Sequence, residues 1–393
     1  MTTGAQGTTG RYLVLLEEDS AAAAVREIRR VAGLDTANTA DLLGATGLSL
    51  PAAVDGLLLH ELGVAVVTAA PEQADALARA CAEPGPLAMI EPERLVQAYT
   101  APAPAPEEAA DETAFTWGLQ ALGAPDSTAT GAGIRVAVLD TGVVTGHPDL
   151  AGRALVTSSF VDGESVEDAH GHGTHCVGTA CGPRTPEQGP GYGVAYEAEI
   201  YAGKVLGNDG SGTDGGILAG IQWAISNRCA VVSMSLGAAT QVGDPYSQIF
   251  ETAARRAIQQ GALIIAAAGN ESRREDGHIA PVGHPANCPS IMAVGAVDVR
   301  HEVAGFSCGS VDSNAAVDIV GPGVDVYSSW TLPERYTTIS GTSMATPHVA
   351  GVAALLAQQH GARSWELWAR LGQSALRLAV PSTDVGTGLV QAP

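Results

Sequence analysis

The stretch Ile134-Arg-Val-Ala-Val-Leu-Asp140-Thr-Gly142 decides the fold class. Its apolar run indicates a buried strand that ends in a carboxylate and a glycine turn. Further apolar strands are predicted at 199–206, 230–236, 262–268 and 290–297, with helical spacing between them at 215–226 and 246–260. This alternation predicts a three-layer α/β domain, in which helices cover both faces of a parallel sheet and ligands bind at the carboxyl ends of the strands.

An Ala-Pro stretch separates this domain from a smaller unit before it. Residues 100–106 are Thr-Ala-Pro-Ala-Pro-Ala-Pro, and an acidic run follows them. Such a sequence is extended and contains few side chains that could be buried. We therefore predict a linker over 100–114 and the larger domain over 115–393.

The smaller unit spans residues 11–99. Its apolar runs and amphipathic segments follow the order β-α-β-β-α-β, the ferredoxin-like plan of a small α+β domain. Two separate strands, at 87–90 and 95–98, are predicted to close it. Residues 1–10 are small and polar, and we expect them to form a disordered lead-in.

The charge of the chain disfavours two classes of binding partner. The formal net charge is −22, and a strongly acidic surface repels nucleic acid and anionic lipid, so neither is an expected partner. The N-terminus lacks the pattern of a signal peptide, and no stretch is apolar for long enough to cross a membrane. The chain as written is therefore expected in the cytoplasm, with export left open.

The six cysteines show no zinc-binding spacing. We expect free, buried thiols. A disulfide between Cys288 and Cys308 is the one pairing left open.

Two further motifs carry chemistry, and each has a simpler interpretation. His170-Gly-His172-Gly-Thr-His175-Cys176 contains an HxHxxH spacing that could bind a metal, although no carboxylate cluster completes such a site. Gly341-Thr-Ser343-Met-Ala-Thr-Pro-His348 opens an apolar helix, where a serine is ordinarily an N-cap. Asp140, taken alone, could be a turn former.

Together the motifs supply the parts of a nucleophilic catalyst. A serine hydroxyl needs a base to accept its proton, and imidazole titrates in the useful range. The imidazole in turn needs a carboxylate that fixes its tautomer. A tetrahedral oxyanion needs hydrogen-bond donors, and Ala266-Ala-Ala-Gly-Asn270 ends a predicted strand in an amide that can donate.

With these residues in view, the chain resembles the subtilisin-like serine proteases. The words DTG, HGTH, AAAGN and GTSMATPH occur in that order, the resemblance covers about residues 117–391, and GHGTHC is most similar to the proteinase K branch. The resemblance implies that Asp140 orients the base and that His172 is the general base and then the general acid. It implies further that Ser343 is the nucleophile and that Asn270 and the Ser343 N–H form the oxyanion hole.

The resemblance also implies how substrate is held. A peptide would add as a strand between two segments, giving backbone affinity while pockets select side chains. The P1 pocket would have Gly283 at its base and accept a bulky apolar or aromatic residue. The implied substrate-binding residues are Gly210, Ser211, Gly212, Ser235, Leu236, Gly237, Ala268, Gly269 and Gly283.

Residues next to this cleft could change which substrate side chains it prefers. Glu271 at the pocket rim and Asp214 near the P4 pocket could favour basic residues, or each could be a solvated surface charge. His284-Pro285 stands where relatives carry a cis X-Pro bond.

The smaller unit resembles the inhibitor-type propeptide of these proteases. The chain would then be a proenzyme whose first partner is its own N-terminal unit, and peptide or protein substrates would follow. Autocleavage is predicted between Tyr99 and Thr100, and the protein is expected to be a monomer.

No cofactor is expected to be required. Calcium is often bound in this family, and Asp149 matches a common ligand position. The loop that completes that site is replaced here by residues 182–191, so we expect this calcium site to be absent, and the sequence does not establish another.

Two alternatives to hydrolysis remain. An amine could capture the acyl-enzyme, which would make the protein a peptide ligase or macrocyclase, although no large insertion covers the site to exclude water. The fold could also serve as a non-catalytic peptide-binding scaffold, which the intact triad and Asn270 disfavour.

Overall fold

A computed structural model describes residues 8–42, 54–101 and 111–393. The predicted lead-in over 1–10 is wrong for residues 8–10, which pair as the start of the first strand instead of being disordered. Residues 1–7 lie outside the described residues, as does the Ala-Pro part of the predicted linker, 102–110.

The N-terminal unit contains one sheet covered by two helices. Its elements are β1 (Thr8–Leu16), α1 (Ala21–Ala32), β2 (Thr36–Asn38), β3 (Gly56–Leu59), β4 (Val64–Thr68), α2 (Pro71–Cys81) and β5 (Leu87–Ala98). The strand order is β5-β1-β4-β3-β2, in which the short β2 adds to the predicted elements. Buried apolar side chains such as Val14, Ile28 and Leu77 form the core between helices and sheet.

β5 is one continuous strand, so the prediction of two strands at 87–90 and 95–98 is wrong. The charged run around Pro92 interrupts the apolar pattern, which is why the sequence indicated a break. Pairing overrides that pattern, because β1 pairs with the first part of β5 and Tyr12 lies opposite Pro92. The second part of β5 leaves the N-terminal unit and pairs with strands of the larger domain.

The larger domain is built on a parallel sheet. Its strands are β6 (Arg135–Asp140), β7 (Leu155–Ser159), β8 (Glu199–Lys204), β9 (Ser211–Thr213), β10 (Val231–Met234), β11 (Leu236–Gly237), β12 (Leu263–Ala267), β13 (Met292–Val297), β14 (Ile319–Pro322), β15 (Val326–Ser329) and β16 (Tyr336–Ile339). Its helices are α3 (Trp117–Ala121), α4 (His172–Cys181), α5 (Asp214–Ser226), α6 (Gln248–Gln259), α7 (Thr342–His360), α8 (Ser364–Ser374) and α9 (Ser382–Val385).

The predicted α/β fold with a parallel sheet is confirmed. The order is β14-β13-β12-β10-β6-β8-β7, and the neighbours in this sheet run parallel. The central strands are buried along their whole length, as expected when helices pack on both faces of a sheet. β6 lies between β10 and β8, so Asp140 at its carboxyl end occupies the middle of the sheet edge where ligands bind.

The cysteines are free thiols in the structure. Cys288 and Cys308, the pair left open as a disulfide, are not joined: Cys288 Sγ lies 3.6 Å from the Ser247 carbonyl oxygen, and Cys308 Sγ lies 3.2 Å from Glu271 Oε2. Among the described residues, the helices are too short or too polar to cross a bilayer.

Asp318 makes the stability of this sheet depend on pH. Its Oδ2 accepts a hydrogen bond from the Ala293 N–H at 2.8 Å, and burial raises the pKa of this carboxyl to about 7. A carboxyl with a raised pKa in the folded state favours folding while it is protonated, and this contribution is lost as the pH rises from about 4 through about 7. Asp318→Asn should therefore stabilise the protein at pH 8 by roughly 2 kcal/mol and have little effect at pH 4.

The measurement is the melting temperature between pH 4 and 9, in a Ser343→Ala background that prevents self-digestion. The exposed Asp162 supplies the control, because Asp162→Asn should not alter the pH dependence. A melting temperature that Asp318→Asn leaves unchanged at pH 8 would contradict the assignment.

Candidate active site

Asp140 is a buried carboxylate at the carboxyl end of β6. Its Oδ1 accepts hydrogen bonds from His172 Nδ1 and from the Thr141 N–H, both at 2.7 Å. The first bond leaves His172 Nε2 on the opposite side of the ring, free of partners among the described residues. An imidazole held by a carboxylate through Nδ1 can accept a proton at Nε2.

Asp168, which the sequence analysis missed, fixes the segment that carries His172. Its Oδ1 accepts hydrogen bonds from the Gly171 N–H at 2.8 Å and from Thr141 Oγ1 at 2.9 Å. Its Oδ2 accepts from both the N–H and the hydroxyl of Thr174. The buried carboxylate therefore ties the first turn of α4 to the residue after Asp140. An acidic residue just before a helix start was the available signal.

Ser343 lies in the first turn of α7 and is fully buried. Its hydroxyl donates to the Ser235 carbonyl oxygen at 2.9 Å and not to His172. Cys176 Sγ lies 3.9 Å from His172 Nδ1 and 3.7 Å from the Ser343 carbonyl oxygen, so α4 and α7 meet at this point. Catalytic hydrogen bonds commonly tighten only when a substrate reacts, so the observed rotamer is compatible with proton transfer to His172.

Asp140 controls the protonation of His172. Burial by itself lowers the pKa of the His172 imidazole, but the charge of Asp140 and its hydrogen bond to the ring counteract burial, and this pKa is raised well above its usual range. Burial and the Asp140 charge also raise the pKa of the Cys176 thiol to about 11, so Cys176 is a thiol at neutral pH. The site therefore combines a carboxylate and a basic imidazole with a neutral thiol.

The other motif histidines do not complete a metal site. His175 Nε2 donates to the Val326 carbonyl oxygen at 3.0 Å, and burial lowers the pKa of His175 to about 3. His348 Nδ1 donates to the Met344 carbonyl oxygen, and burial lowers the pKa of His348 to about 4. Both rings are neutral structural donors. The ring of His170 packs edge-on against the His172 ring, with centroids 6.2 Å apart.

Asn270 follows β12, and its amide faces the start of α7. Its Oδ1 accepts from the Thr342 N–H at 2.9 Å and from the Thr342 hydroxyl at 2.8 Å, which turns Nδ2 away from Thr342. A methyl group on Gly341 would lie 2.8 Å from the Tyr99 carbonyl oxygen, 3.1 Å from Asn270 Nδ2 and 3.6 Å from the Ser343 nitrogen. Two donors and one carbonyl thus gather around Gly341, and this close approach leaves no room for a side chain there.

The end of β5 occupies the cleft as a strand between two others. It pairs antiparallel with β9 on one side, where Val96 lies opposite Gly212 and Gln97 lies opposite Ser211. On the other side it pairs with β11, where Ala98 lies opposite Leu236. The Ala98 N–H also donates to the Gly210 carbonyl oxygen at 2.9 Å. This geometry is strand addition at both edges of the bound segment.

The Tyr99 side chain fills a buried pocket at the end of this strand. A methyl group on Gly283 would lie 2.6 Å from the Tyr99 hydroxyl, and one on Gly237 would lie 2.7 Å from the ring. These two glycines therefore make the space that the ring occupies. Burial raises the pKa of the Tyr99 hydroxyl well above its usual range, and the nearby charge of Glu271 raises it further.

The remaining pocket residues lie on the same wall. The Gly283 N–H donates to the Ala268 carbonyl oxygen at 2.9 Å, and a methyl group on Gly269 would lie 2.5 Å from Glu271 Oε2. The Ser235 carbonyl oxygen faces the Tyr99 N–H at 3.4 Å. The His284–Pro285 peptide bond is cis.

The chain continues through the cleft beyond Tyr99. Thr100 is exposed, and the Ala101 N–H donates to the Ser340 carbonyl oxygen at 2.9 Å. Backbone hydrogen bonds therefore hold the chain on both sides of the Tyr99–Thr100 peptide bond, next to Ser343 and Asn270.

Asp149 does not fit a calcium site. Its Oδ1 accepts from the Glu187 N–H at 3.0 Å, and its Oδ2 accepts from the hydroxyls of Tyr192 at 2.7 Å and Tyr336 at 3.0 Å. A calcium ion needs several oxygen ligands that point their lone pairs at it. Here the carboxylate oxygens are already occupied by protein donors, one of which comes from the replaced loop, 182–191.

Comparison with known sequences identifies relatives of the larger domain. Residues 131–386 match the sequence profile of the subtilase family. The chain is 40% identical over 284 residues to Subtilisin BL from Lederbergia lenta, covering 70% of this chain and 96% of that protein. It is 41% identical over 264 residues to a thermostable alkaline protease from Halalkalibacterium halodurans, covering 67% of each chain. It is 38% identical over 258 residues to Subtilisin DY from Bacillus licheniformis, covering 65% of this chain and 86% of the relative.

Proposed function

Because the chain belongs to the subtilase family and is a serine endopeptidase acting on peptides or proteins, we propose that it hydrolyses peptide bonds through an acyl-enzyme formed on Ser343. His172 removes the proton from Ser343 and then delivers it to the leaving amine. Asp140 holds His172 in the required tautomer and stabilises its cation. Asn270 Nδ2 and the Ser343 N–H stabilise the oxyanion.

The observation that carries this proposal is the position of the chain's own carbonyl. The Tyr99 carbonyl oxygen, Asn270 Nδ2 and the Ser343 nitrogen all lie within 4 Å of the position that a Gly341 methyl group would take, although Nδ2 has no hydrogen-bond partner among the described residues, and strands pair with the residues before Tyr99. Attack of Ser343 Oγ on the Tyr99 carbonyl carbon would form the acyl-enzyme and release Thr100 as the new amino terminus. Water would then release the Tyr99 carboxylate. No cofactor takes part in these steps.

The N-terminal unit acts as an inhibitor after this cleavage. Arg256, on α6, donates to the carbonyl oxygens of Leu62 and Leu16 in that unit. Gln222, on α5, accepts from the N–H groups of Glu61 and Leu62. These contacts, together with the pairing of β5, support a unit that stays bound and keeps Tyr99 in the pocket after its carboxylate is free.

Autocleavage should give a mature chain that begins at Thr100. Incubation of the 393-residue protein, followed by N-terminal sequencing and intact mass, should show this start, and Ser343→Ala should remain uncut. Tyr99→Asp should slow processing because a carboxylate would be buried in a pocket next to Glu271. An active protein that stays uncut at Tyr99, or one cut elsewhere with Tyr99 intact, would refute the assignment of this bond.

The P1 pocket, lined by Gly237 and Gly283, should accept bulky apolar or aromatic substrate residues. Gly237 and Gly283 leave space in the pocket, and the surrounding pocket residues are buried. Burial of a large apolar P1 side chain there contributes roughly 1.5–3 kcal/mol to the free energy of substrate binding. A peptide library should give Tyr, Phe, Leu and Met as the preferred P1 residues, at least tenfold over Gly or Asp. Cleavage confined to Lys or Arg would mean that Glu271 dominates the pocket instead.

A further inference from the structure

Asp214 is a carboxylate buried under the strand that fills the cleft. It begins α5 and has no exposed side-chain surface. The N-terminal unit packs closely against this site. A methyl group on Gly215, the residue after Asp214, would lie only 2.5 Å from Glu93 Oε1 of that unit. Asp214 therefore contacts the segment of β5 that occupies the cleft.

The protein holds this carboxylate in one orientation. Its Oδ1 accepts from His284 Nε2 at 2.8 Å, and the His284 ring packs edge-on against Phe250. His284 directly follows Gly283 at the base of the P1 pocket. The amino-terminal end of α5 also favours a negative charge at its first residue. Asp214 is therefore a buried carboxyl group held in place by the protein, and not a solvated surface residue.

The other oxygen of Asp214 faces the bound strand. Asp214 Oδ2 accepts from the Arg94 N–H at 3.1 Å and lies 3.5 Å from Arg94 Nη1. Counting back from Tyr99 as P1, Arg94 is the P6 residue. The backbone bond would hold any residue at P6, whereas the contact with the guanidinium depends on a positive charge.

Among the residues that the structure describes, Arg94 has one other anionic contact, and this second carboxylate belongs to the same strand as Arg94. Glu91 Oε2 lies 3.5 Å from Arg94 Nη1, while its oxygens also accept from the Ser247 hydroxyl and the Gln248 N–H. An external substrate would bring its own residue to that position. Asp214 is therefore the carboxylate of the larger domain that faces the P6 side chain.

We propose that Asp214, oriented by His284, makes this protease select substrates with a basic residue at P6, six residues before the cleaved bond. The proposal rests on the proposed function, because it takes Tyr99 as P1. It differs from the expectation that Asp214 acts at P4: the P4 residue of the bound strand is the buried, apolar Val96.

The test uses processed enzyme from the full chain, separated from the N-terminal unit, and quenched peptides of the form Glu-Xaa-Leu-Val-Gln-Ala-Tyr-Thr-Ala, with Arg, Gln or Glu as Xaa. We expect kcat/KM to favour Arg over Gln by about threefold to fivefold, mainly through KM, because the pair is partly exposed. Glu should be the poorest. The preference should shrink at 1 M NaCl, where charges are screened beyond about 3 Å.

Variants separate the effect of the Asp214 charge on specificity from an effect on folding. Asp214→Asn should flatten the Arg, Gln and Glu series while hydrolysis of the Gln peptide persists. Glu197→Gln removes an exposed charge elsewhere on the domain and should leave the series unchanged. If Asp214→Asn does not fold, Asp214→Ser serves as the second variant and should flatten the series in the same way.

The outcomes distinguish this inference from the proposed function. Equal kcat/KM for the three peptides with wild-type enzyme, or an Arg preference that survives in folded Asp214→Asn, would overturn P6 selection alone. Failure of wild-type enzyme to cleave any of the peptides above the Ser343→Ala background would instead overturn the proposed function.

Discussion

Ser343→Ala is expected to abolish both self-processing and peptide hydrolysis. The loss in kcat should be on the order of 10⁶, the size found when the serine of subtilisin is removed. Without Oγ no acyl-enzyme can form, so any residual rate would come from the oxyanion donors and from binding alone. The purified variant should remain a single 393-residue chain.

The variant should otherwise retain the fold. Within the described part of the chain, Ser343 Oγ makes one hydrogen bond, to the Ser235 carbonyl oxygen, so its removal costs about 1 kcal/mol of stability. Ser374→Ala, at the end of α8, is the matched control and should process normally. A folded Ser343→Ala protein that still converts to the Thr100 form would show that another group, or another protease, cuts the chain.

Asp140→Asn should lower kcat by about 10⁴ while KM changes little. Asp140 Oδ1 accepts from both His172 Nδ1 and the Thr141 N–H at 2.7 Å. Because both bonds go to the same oxygen, an asparagine that turns its NH₂ towards His172 gives up both of them. His172 Nδ1 then accepts from the amide, which places the ring proton on Nε2. That nitrogen can no longer accept a proton from Ser343.

The same variant should shift the pH profile. Asp140 counteracts burial and raises the pKa of His172, so the acid limb of kcat/KM should move to lower pH when the charge is removed. Asp126→Asn, an exposed site, serves as the control. A loss of less than tenfold, with an unshifted acid limb, would mean that Asp140 does not orient the base.

The sequence predicted the parallel sheet because its strands have a local signal. β12 and β13 are apolar throughout, β10 contains a single polar residue, Ser233, and β6 is apolar between Arg135 and Asp140; this is the pattern of strands buried on both faces. The position of Asp140 followed from the same pattern, because a carboxylate at the carboxyl end of a buried strand reaches the ligand-binding edge.

Features that depend on pairing between distant segments could not be predicted in this way. The continuity of β5 comes from β1, β9 and β11, whereas its own sequence breaks at Glu91-Pro-Glu-Arg94. Asp168 acts through donors on two other segments, so its spacing from His172 carried only a helix-start signal.

The roles of two acidic residues, Asp214 and Asp149, could not be predicted from the sequence for the same reason. The sequence left Asp214 as either a specificity residue or a surface charge. Its burial and its contacts with His284 and Arg94 join three segments that lie far apart in the chain. Likewise, Asp149 matched a metal-ligand position, but the hydroxyls of Tyr192 and Tyr336 donate to its Oδ2 and the Glu187 N–H donates to its Oδ1. In both cases the role of the carboxyl group depends on the residues that contact it in the fold, which the local sequence does not reveal.

Labelling with a fluorophosphonate, followed by peptide mapping, tests the central claim most directly. A fluorophosphonate reacts with a serine only when a neighbouring base activates the hydroxyl and donors stabilise the resulting oxyanion. The processed enzyme, separated from the N-terminal unit, should acquire one adduct, on Ser343, and lose peptidase activity in proportion to labelling. Full labelling of a different residue, or complete inactivation with Ser343 unmodified, would contradict the assignment of Ser343 as the nucleophile.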